Sequence, residues 1–229
     1  MTEDNHYSNV YVVIPAKDEE RYIDLLLDKL MDLGFENIIV VNDNSQDKTG
    51  HIAGERENVV VLDHSINLGA GAATQTGIAY AVDKKANIIV TIDADLQHHP
   101  DDLIKLIDVL IEEEHDLVIG SRFLKRNNIP PSRIFFNKGA NIISWFLTGK
   151  YLSDSQSGLK AFNYKLAEKL DLKYDGFEFC MEIIKVANTK KLKIKEVPVN
   201  VTYTPETMNK GQGLKSGLRI LSKLLSPFS

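Results

Sequence analysis

Five short apolar runs recur through the first half of the chain: VYVVI (10–14), NIIVV (37–41), NVVVL (58–62), NIIVTI (87–92) and DLVIG (116–120). Near-continuous β-branched runs suit strands that are buried on both faces, which a sheet achieves only when helices cover each side. The segments between them carry the helical period. Between Glu19 and Leu33, Tyr22, Ile23, Leu26, Leu27 and Leu30 share one helical face, and Gly34 stands where a helix stops. Between Pro100 and Glu114, Leu103, Ile104, Leu106, Ile107, Leu110 and Ile111 repeat the pattern, with Asp101 and Asp102 at the positive end of the helix dipole. Alternation of this kind predicts an α/β fold with a mostly parallel sheet and crossover helices.

The rhythm breaks after residue 121. RNNIPPSR (126–133) reads as a loop, because its prolines and asparagines oppose both helix and strand. A helix over 134–148, a polar turn at 153–158, a short helix from Tyr164, a helix over 178–188 and a strand over 194–203 are expected to follow. Pro198 makes that last strand an edge strand or an irregular one. With 229 residues, 43% of them hydrophobic, the chain can bury a sizeable core. The division expected is a main domain over 1–203 and a C-terminal segment over 204–229.

Charge and cysteine content narrow the function. A net charge of −5 lacks the basic footprint of a nucleic-acid binder, so phosphate must be met by local cations. The single cysteine, Cys180, permits no internal disulfide and reads as core. MTEDNHYSN lacks the basic start and apolar stretch of a signal peptide, and IISWFLTG (142–149) is too short to span a bilayer. The expected location is the cytoplasm, with at most peripheral contact to the membrane's cytoplasmic face.

Ligands of parallel α/β sheets bind beyond the carboxyl ends of the strands. Polar segments follow each strand here: PAKDEE, NDNSQDKTG, DHSINLGAGAATQTG, DADLQHHP and SRF. The glycines of NLGAGAATQTG fit either a backbone approaching a ligand at a helix N-terminus or a tight turn with close helix packing. The dinucleotide fingerprint is not met. In DADLQHHP, Asp93 and Asp95 point the same way if the strand ends near Ile92. Two carboxylates with the Gln97 amide suit Mg²⁺ or Mn²⁺ alongside diphosphate oxygens, whereas His98 and His99 lack zinc spacing. On spacing alone, an acidic solvated loop fits equally well.

Taken in order, VVIPAKDEE, VVNDNSQDKT, NLGAGAATQTG, DADLQHHP, GSR and DSQSGLKAF resemble the family 2 glycosyltransferases, and among them the dolichyl- and polyprenyl-phosphate sugar synthases. The resemblance runs from about Val10 to Val201. It implies the GT-A fold, inverting chemistry, a nucleotide-sugar donor, a polyprenyl phosphate acceptor and a divalent metal. By the same resemblance, Pro15, Ala16 and Glu19 line the nucleotide pocket, Asp43 recognises base or ribose, and Gly69 and Gly71 shape the pocket beside them. Asp93, Asp95 and Gln97 bind metal and diphosphate, while Arg122, Arg133, Lys160 and Lys215 are the candidate phosphate cations. Glu178, in preference to Glu182, faces the donor sugar, and Lys210 to Gly213, with Gln212, form an acceptor loop. Lys17–Asp18, Asn42 and Asn44 depart from the family pattern, which bears on base and ribose selectivity.

A polyprenyl phosphate oxygen is already anionic near neutral pH, so no general base is required to activate it. A hydroxyl acceptor on a glycan or protein would need one, and a binding module without catalysis would need only the donor pocket. The last segment alternates Leu214, Leu218, Leu221 and Leu225 with Lys215, Arg219 and Lys223, which suits a basic amphipathic helix on a membrane or a helix packed on the domain.

Overall fold

A computed structural model describes residues 9–125, 127–176 and 178–203. The segment 204–229, with the expected acceptor loop, Gln212, Lys215 and the amphipathic helix, lies outside the described residues. Seven strands form one sheet: β1 (Val10–Ala16), β2 (Asn37–Asn42), β3 (Val59–Asp63), β4 (Ile88–Thr91), β5 (Leu117–Ser121), β6 (Lys160–Asn163) and β7 (Ile194–Pro198). Their order is β3-β2-β1-β4-β6-β5-β7. Every pairing is parallel except those of β6, which runs antiparallel between β4 and β5.

The helices are α1 (Ile23–Asp32), α2 (Thr49–Gly54), α3 (Ala70–Asp83), α4 (Asp101–Glu112), α5 (Pro131–Thr148), α6 (Tyr164–Ala167) and α7 (Phe179–Thr189). Successive strand residues serve opposite faces of the sheet, as the two-residue period requires. Val12, Ile14, Ile38, Val40 and Val118 pack with Leu26, Leu30, Leu103, Leu106 and Ile107 of α1 and α4. Val13, Ile39, Val41, Leu117 and Ile119 pack with Ile78, Ala81, Ile183 and Ile184 of α3 and α7. This two-sided burial is why the strands read as unbroken apolar runs.

Two elements were not legible in advance. Helix α2 is six residues long, and β6 is four. Strand β7 stops at Pro198 rather than running to 203, and it lies at the sheet edge, where a missing N–H is tolerated. The order places β2 on one side of β1 and β4 on the other, so the crossover direction reverses between β1 and β4. Their carboxyl ends open the crevice in which such sheets hold ligands.

Candidate active site

The acidic pair sits in that crevice, although strand alternation does not bring it there. β4 ends at Thr91, before either aspartate, and a turn through Ala94–Leu96 follows. Leu96 takes φ 55°, a left-handed conformation that costs a branched residue about 1 kcal/mol or more. The turn lets the Gln97 amide donate to Asp95 Oδ1 at 3.0 Å, while the Gln97 side-chain Nε2 donates to Asp95 Oδ2. Asp93 lies against Gly158, where an added Cβ would come within 2.6 Å of Oδ1. Thr91 Oγ1 donates to the Gly158 carbonyl at 2.6 Å and fixes that glycine in place. Burial, and then the charge of Asp95, push the Asp93 carboxyl up to about 6, against the opposing pull of Lys160 and Arg122.

Both cations oppose the charge of the Asp93 carboxylate from within the chain. Arg122 holds Asp154 through two parallel bonds of 2.7 Å, Nε to Oδ2 and NH2 to Oδ1, and its backbone amide donates to Oδ2 at 3.0 Å. Burial alone would depress the guanidinium; the charges of Asp154, Tyr203 and Asp93 and the Asp154 hydrogen bonds outweigh it and hold the group above its ordinary value. Lys160 is fully buried on β6, its Nζ donating to the Ser157 carbonyl and lying 5.7 Å from the Phe179 ring centroid. His98 is buried behind the turn, pairs with Val201 across an isolated bridge, and is depressed to about 3 by burial and then by Arg122. A neutral imidazole therefore backs the acidic turn.

The 153–158 turn is strapped from three sides. Glu196 on β7 accepts from the Ser153 and Asp154 amides at 2.8 and 2.9 Å, and from Ser153 Oγ at 2.8 Å. Asn141 on α5 accepts from the Ser155 amide and hydroxyl at 3.0 and 2.8 Å. Arg122, just past the end of β5, supplies the third strap. Asp154, Glu196, Asn141 and Gly158 were not singled out from sequence. Asp154 and Gly158 stand inside DSQSGLKAF, but their partners come from distant elements with no local pattern.

On the nucleotide side, Pro15 and Ala16 end β1, and the Ala16 carbonyl accepts from the Asp43 amide at 2.9 Å. Glu19 opens the following loop, its amide donating to Thr49 Oγ1 at 2.8 Å. Asp18 and Asp47 tie this loop to residues 45–49, with Asp18 Oδ1 accepting from the Gln46 amide at 2.7 Å and Asp47 Oδ2 from the Glu20 amide at 3.0 Å. Asn42 donates to Asp63 Oδ1 at 2.7 Å and Asn44 to the Ser65 carbonyl at 3.0 Å, so both departures from the family pattern have structural partners.

Asp43 and the glycines, expected beside base and ribose, each have partners within the chain. Asp43 accepts from the Leu68 and Gly69 amides, both at 2.7 Å, and stands 2.8 Å from His64 Nδ1. Burial works to raise its carboxyl, but these bonds prevail and hold it below the ordinary range. Gly69, at φ 95°, and Gly71 make room for the backbone of residues 174–176. The Gly71 amide donates to the Asp175 carbonyl at 2.8 Å, and a Cβ on Gly71 would collide with the Tyr174 carbonyl. That segment leads into Glu178, buried at the N-cap of α7 with its carboxylate against Gly176. Glu182 instead accepts from the Lys173 and Tyr174 amides at 3.0 Å, which makes it a brace for the segment. Arg133, at the start of α5, lies 5.2 Å from the Tyr203 ring centroid.

Sheet order, switch-point crevice and acidic turn together define the GT-A nucleotide-sugar transferase fold. Among solved structures, the chain is similar to glucosyl-3-phosphoglycerate synthase from Mycobacterium tuberculosis in complex with Mn²⁺, uridine diphosphate and phosphoglyceric acid. The TM-score is 0.72 at 21% identity, over 95% of this chain and 78% of that one. The family model for Glycosyl transferase family 2 matches residues 11–171, and the chain belongs to that family. It is 42% identical to the uncharacterized protein MJ1222 of Methanocaldococcus jannaschii, over 94% of this chain and 90% of that protein. It is 35% identical to UDP-N-acetylglucosamine–dolichyl-phosphate N-acetylglucosaminyltransferase of Methanococcus voltae, over 94% of each.

Proposed function

We propose that this protein is an inverting glycosyltransferase that moves a hexose or N-acetylhexosamine from a UDP- or GDP-sugar to a polyprenyl phosphate of the dolichyl type. The observation that carries the reading is the convergence of Asp93 and Asp95 at the switch-point crevice, with the Asp93 carboxyl raised by burial and then by its neighbour's charge. Negative charge that Lys160 and Arg122 offset only in part suits a divalent cation. Among the described residues no cluster of three or more His, Cys, Asp or Glu is placed to hold a metal, so Asp93 and Asp95 fit a hard ion that takes its remaining ligands from diphosphate and water. Mg²⁺ or Mn²⁺ there would offset the charge that builds on the departing nucleoside diphosphate.

The chain's own residues do the rest by positioning. Gln97 orients the Asp95 carboxylate through its two hydrogen bonds. Arg122 and Lys160 offset part of the charge of the acidic pair. Pro15, Ala16 and Glu19 border the nucleotide, Asp43 holds the Gly69 turn that shapes its pocket, and Glu178 faces the sugar. Arg133 is the cation we assign to the acceptor phosphate, whose anionic oxygen attacks the sugar C1 from the face opposite the leaving group. The M. voltae relative, by its name, uses the same acceptor class.

The test is incubation with radiolabelled UDP- and GDP-sugars, Mg²⁺ or Mn²⁺, and either polyprenyl phosphate or soluble glycans. Label in the lipid phase is expected. Label on a glycan hydroxyl, or donor binding with neither transfer nor hydrolysis, would replace this reading with a hydroxyl transferase or a binding module.

A further inference from the structure

Every side chain from Ser153 to Ser157 but one has its partner inside the chain. Ser153 Oγ donates to Glu196, Asp154 accepts from Arg122, Ser155 Oγ donates to Asn141 Oδ1 at 2.8 Å, and Ser157 Oγ accepts from the Leu159 amide at 3.3 Å. The exception is Gln156. Its side chain is 8% exposed, yet among the described residues nothing donates to its Oε1. A buried acceptor left unmade forfeits its solvation, so an atom of this kind in a folded chain calls for an explanation.

The neighbouring serine sets the orientation of the carboxamide. The Ser155 hydroxyl gives its proton to Asn141, so toward Gln156 it presents only a lone pair. Gln156 Nε2 faces that lone pair at 3.4 Å, which turns Oε1 the other way. The sheet sets where the residue stands. β6 runs antiparallel to β4, with Thr91 opposite Lys160. Continued by two residues, that register brings Gly158 onto Asp93, and the contact is there: a Cβ on Gly158 would collide with both Asp93 carboxylate oxygens. Gln156 comes two residues further along the chain. Its backbone carbonyl faces Cys180 Sγ at 3.9 Å, two residues past Glu178 at the N-cap of α7. The acidic turn thus flanks Gln156 on one side and the start of α7 on the other, and these two elements bracket the donor sugar in the function proposed above.

An amide oxygen has no proton to give, so it repels phosphate and diphosphate oxygens and takes only donors. Hexoses present hydroxyls, and N-acetylhexosamines add an amide N–H. We propose that Gln156 Oε1 accepts a hydrogen bond from a hydroxyl or acetamido N–H of the donor sugar and thereby selects the sugar. The inference rests on the nucleotide-sugar reading. Selection follows from burial: a donor lacking the matching group leaves the oxygen alone in a dry site, and such sites reject the deficient analogue strongly.

The test is calorimetric binding to the full chain with Mn²⁺, using UDP, GDP, UDP-glucose, UDP-N-acetylglucosamine and GDP-mannose. Wild type is compared with Gln156→Met, which keeps the side-chain length and removes the oxygen. The variant should bind the preferred nucleotide sugar roughly tenfold or more weakly while binding the matching nucleoside diphosphate as wild type does. Without ligand it should unfold at the wild-type temperature or higher, because no internal partner is lost. Wild type should also bind one monodeoxy form of that donor, the 2-position included, roughly tenfold or more weakly, whereas on Gln156→Met the same deletion should cost little. Equal weakening of sugar-bearing and bare nucleotide, a lower unfolding temperature, or a monodeoxy series that wild type binds uniformly would overturn the inference. Weakened Mn²⁺ binding in the absence of nucleotide would give the oxygen to the metal and overturn it as well. Binding of no nucleotide at all would remove the proposed function and this inference together; sugar selection by Gln156 without transfer to lipid would remove the acceptor assignment alone.

Discussion

In the metal-free protein Asp93 is a local liability, and that gives the proposed site a signature independent of turnover. Its folded pKa of about 6 lies above the ordinary aspartate value of 3.8. A carboxyl raised in this way contributes stability that is fully present below about pH 4 and is lost as pH rises through about 6. Asp93→Asn should therefore stabilise the metal-free protein at pH 7, on the order of 2 kcal/mol, and should make little difference at pH 4. Urea denaturation in the presence of chelator at the two pH values checks this. A variant no more stable at pH 7, or with the same advantage at both, would contradict the assigned environment. Asp93 and Asp95 were visible in the sequence as a pair, but the reason for their convergence was not. Strand alternation is the natural inference from DAD, whereas a strained turn at Leu96 does the work, and left-handed leucine leaves no compositional trace.

At the scale of elements, the long periodic segments were legible and the short ones were not. α1 and α4 announce themselves by apolar faces of several turns. β6, four residues of which one is the buried Lys160, has no alternation to read and is held by its neighbours β4 and β5. The same limit hid the network around the 153–158 turn, whose members Arg122, Asp154, Asn141 and Glu196 come from four separate stretches of chain. Of Arg122 only the charge was visible in the sequence; its bidentate partner 32 residues away was not. Breaking that pair should be costly. Asp154→Ala leaves a buried guanidinium uncompensated and should destabilise the fold by about 3–5 kcal/mol, and adding Arg122→Met should recover much of the loss. Equilibrium denaturation of the two single variants and the double variant measures the coupling. A loss under about 1 kcal/mol for Asp154→Ala would mean the pair is solvated and the turn held otherwise.

For the whole molecule, charge is segregated along the chain. A net acidic protein contains an acid-free stretch from Leu117 to Ser153, and that stretch includes α5, whose Phe135 and Phe146 are exposed. The fold thus joins three surfaces: a crevice at the β1–β4 switch point, an acidic turn within it, and a basic apolar face connected to it through the 153–155 turn. The family was readable from six polar blocks, five of which follow strands whose apolar runs are clear, whereas the order of the strands was not. Nor was the outward arc of α5, since its sequence alone does not say which arc meets the core.

The claim on which all of this depends is that the acidic turn holds the leaving diphosphate through a divalent metal. The most direct measurement is the rate of sugar transfer to polyprenyl phosphate by wild type and Asp95→Asn, each with Mn²⁺ or Mg²⁺ and with chelator. The account predicts that chelation abolishes wild-type transfer, that metal restores it, and that Asp95→Asn stays at least about 10²-fold slower even with saturating metal. Transfer by wild type that chelator leaves untouched, or an Asp95→Asn enzyme as fast as wild type, would contradict it.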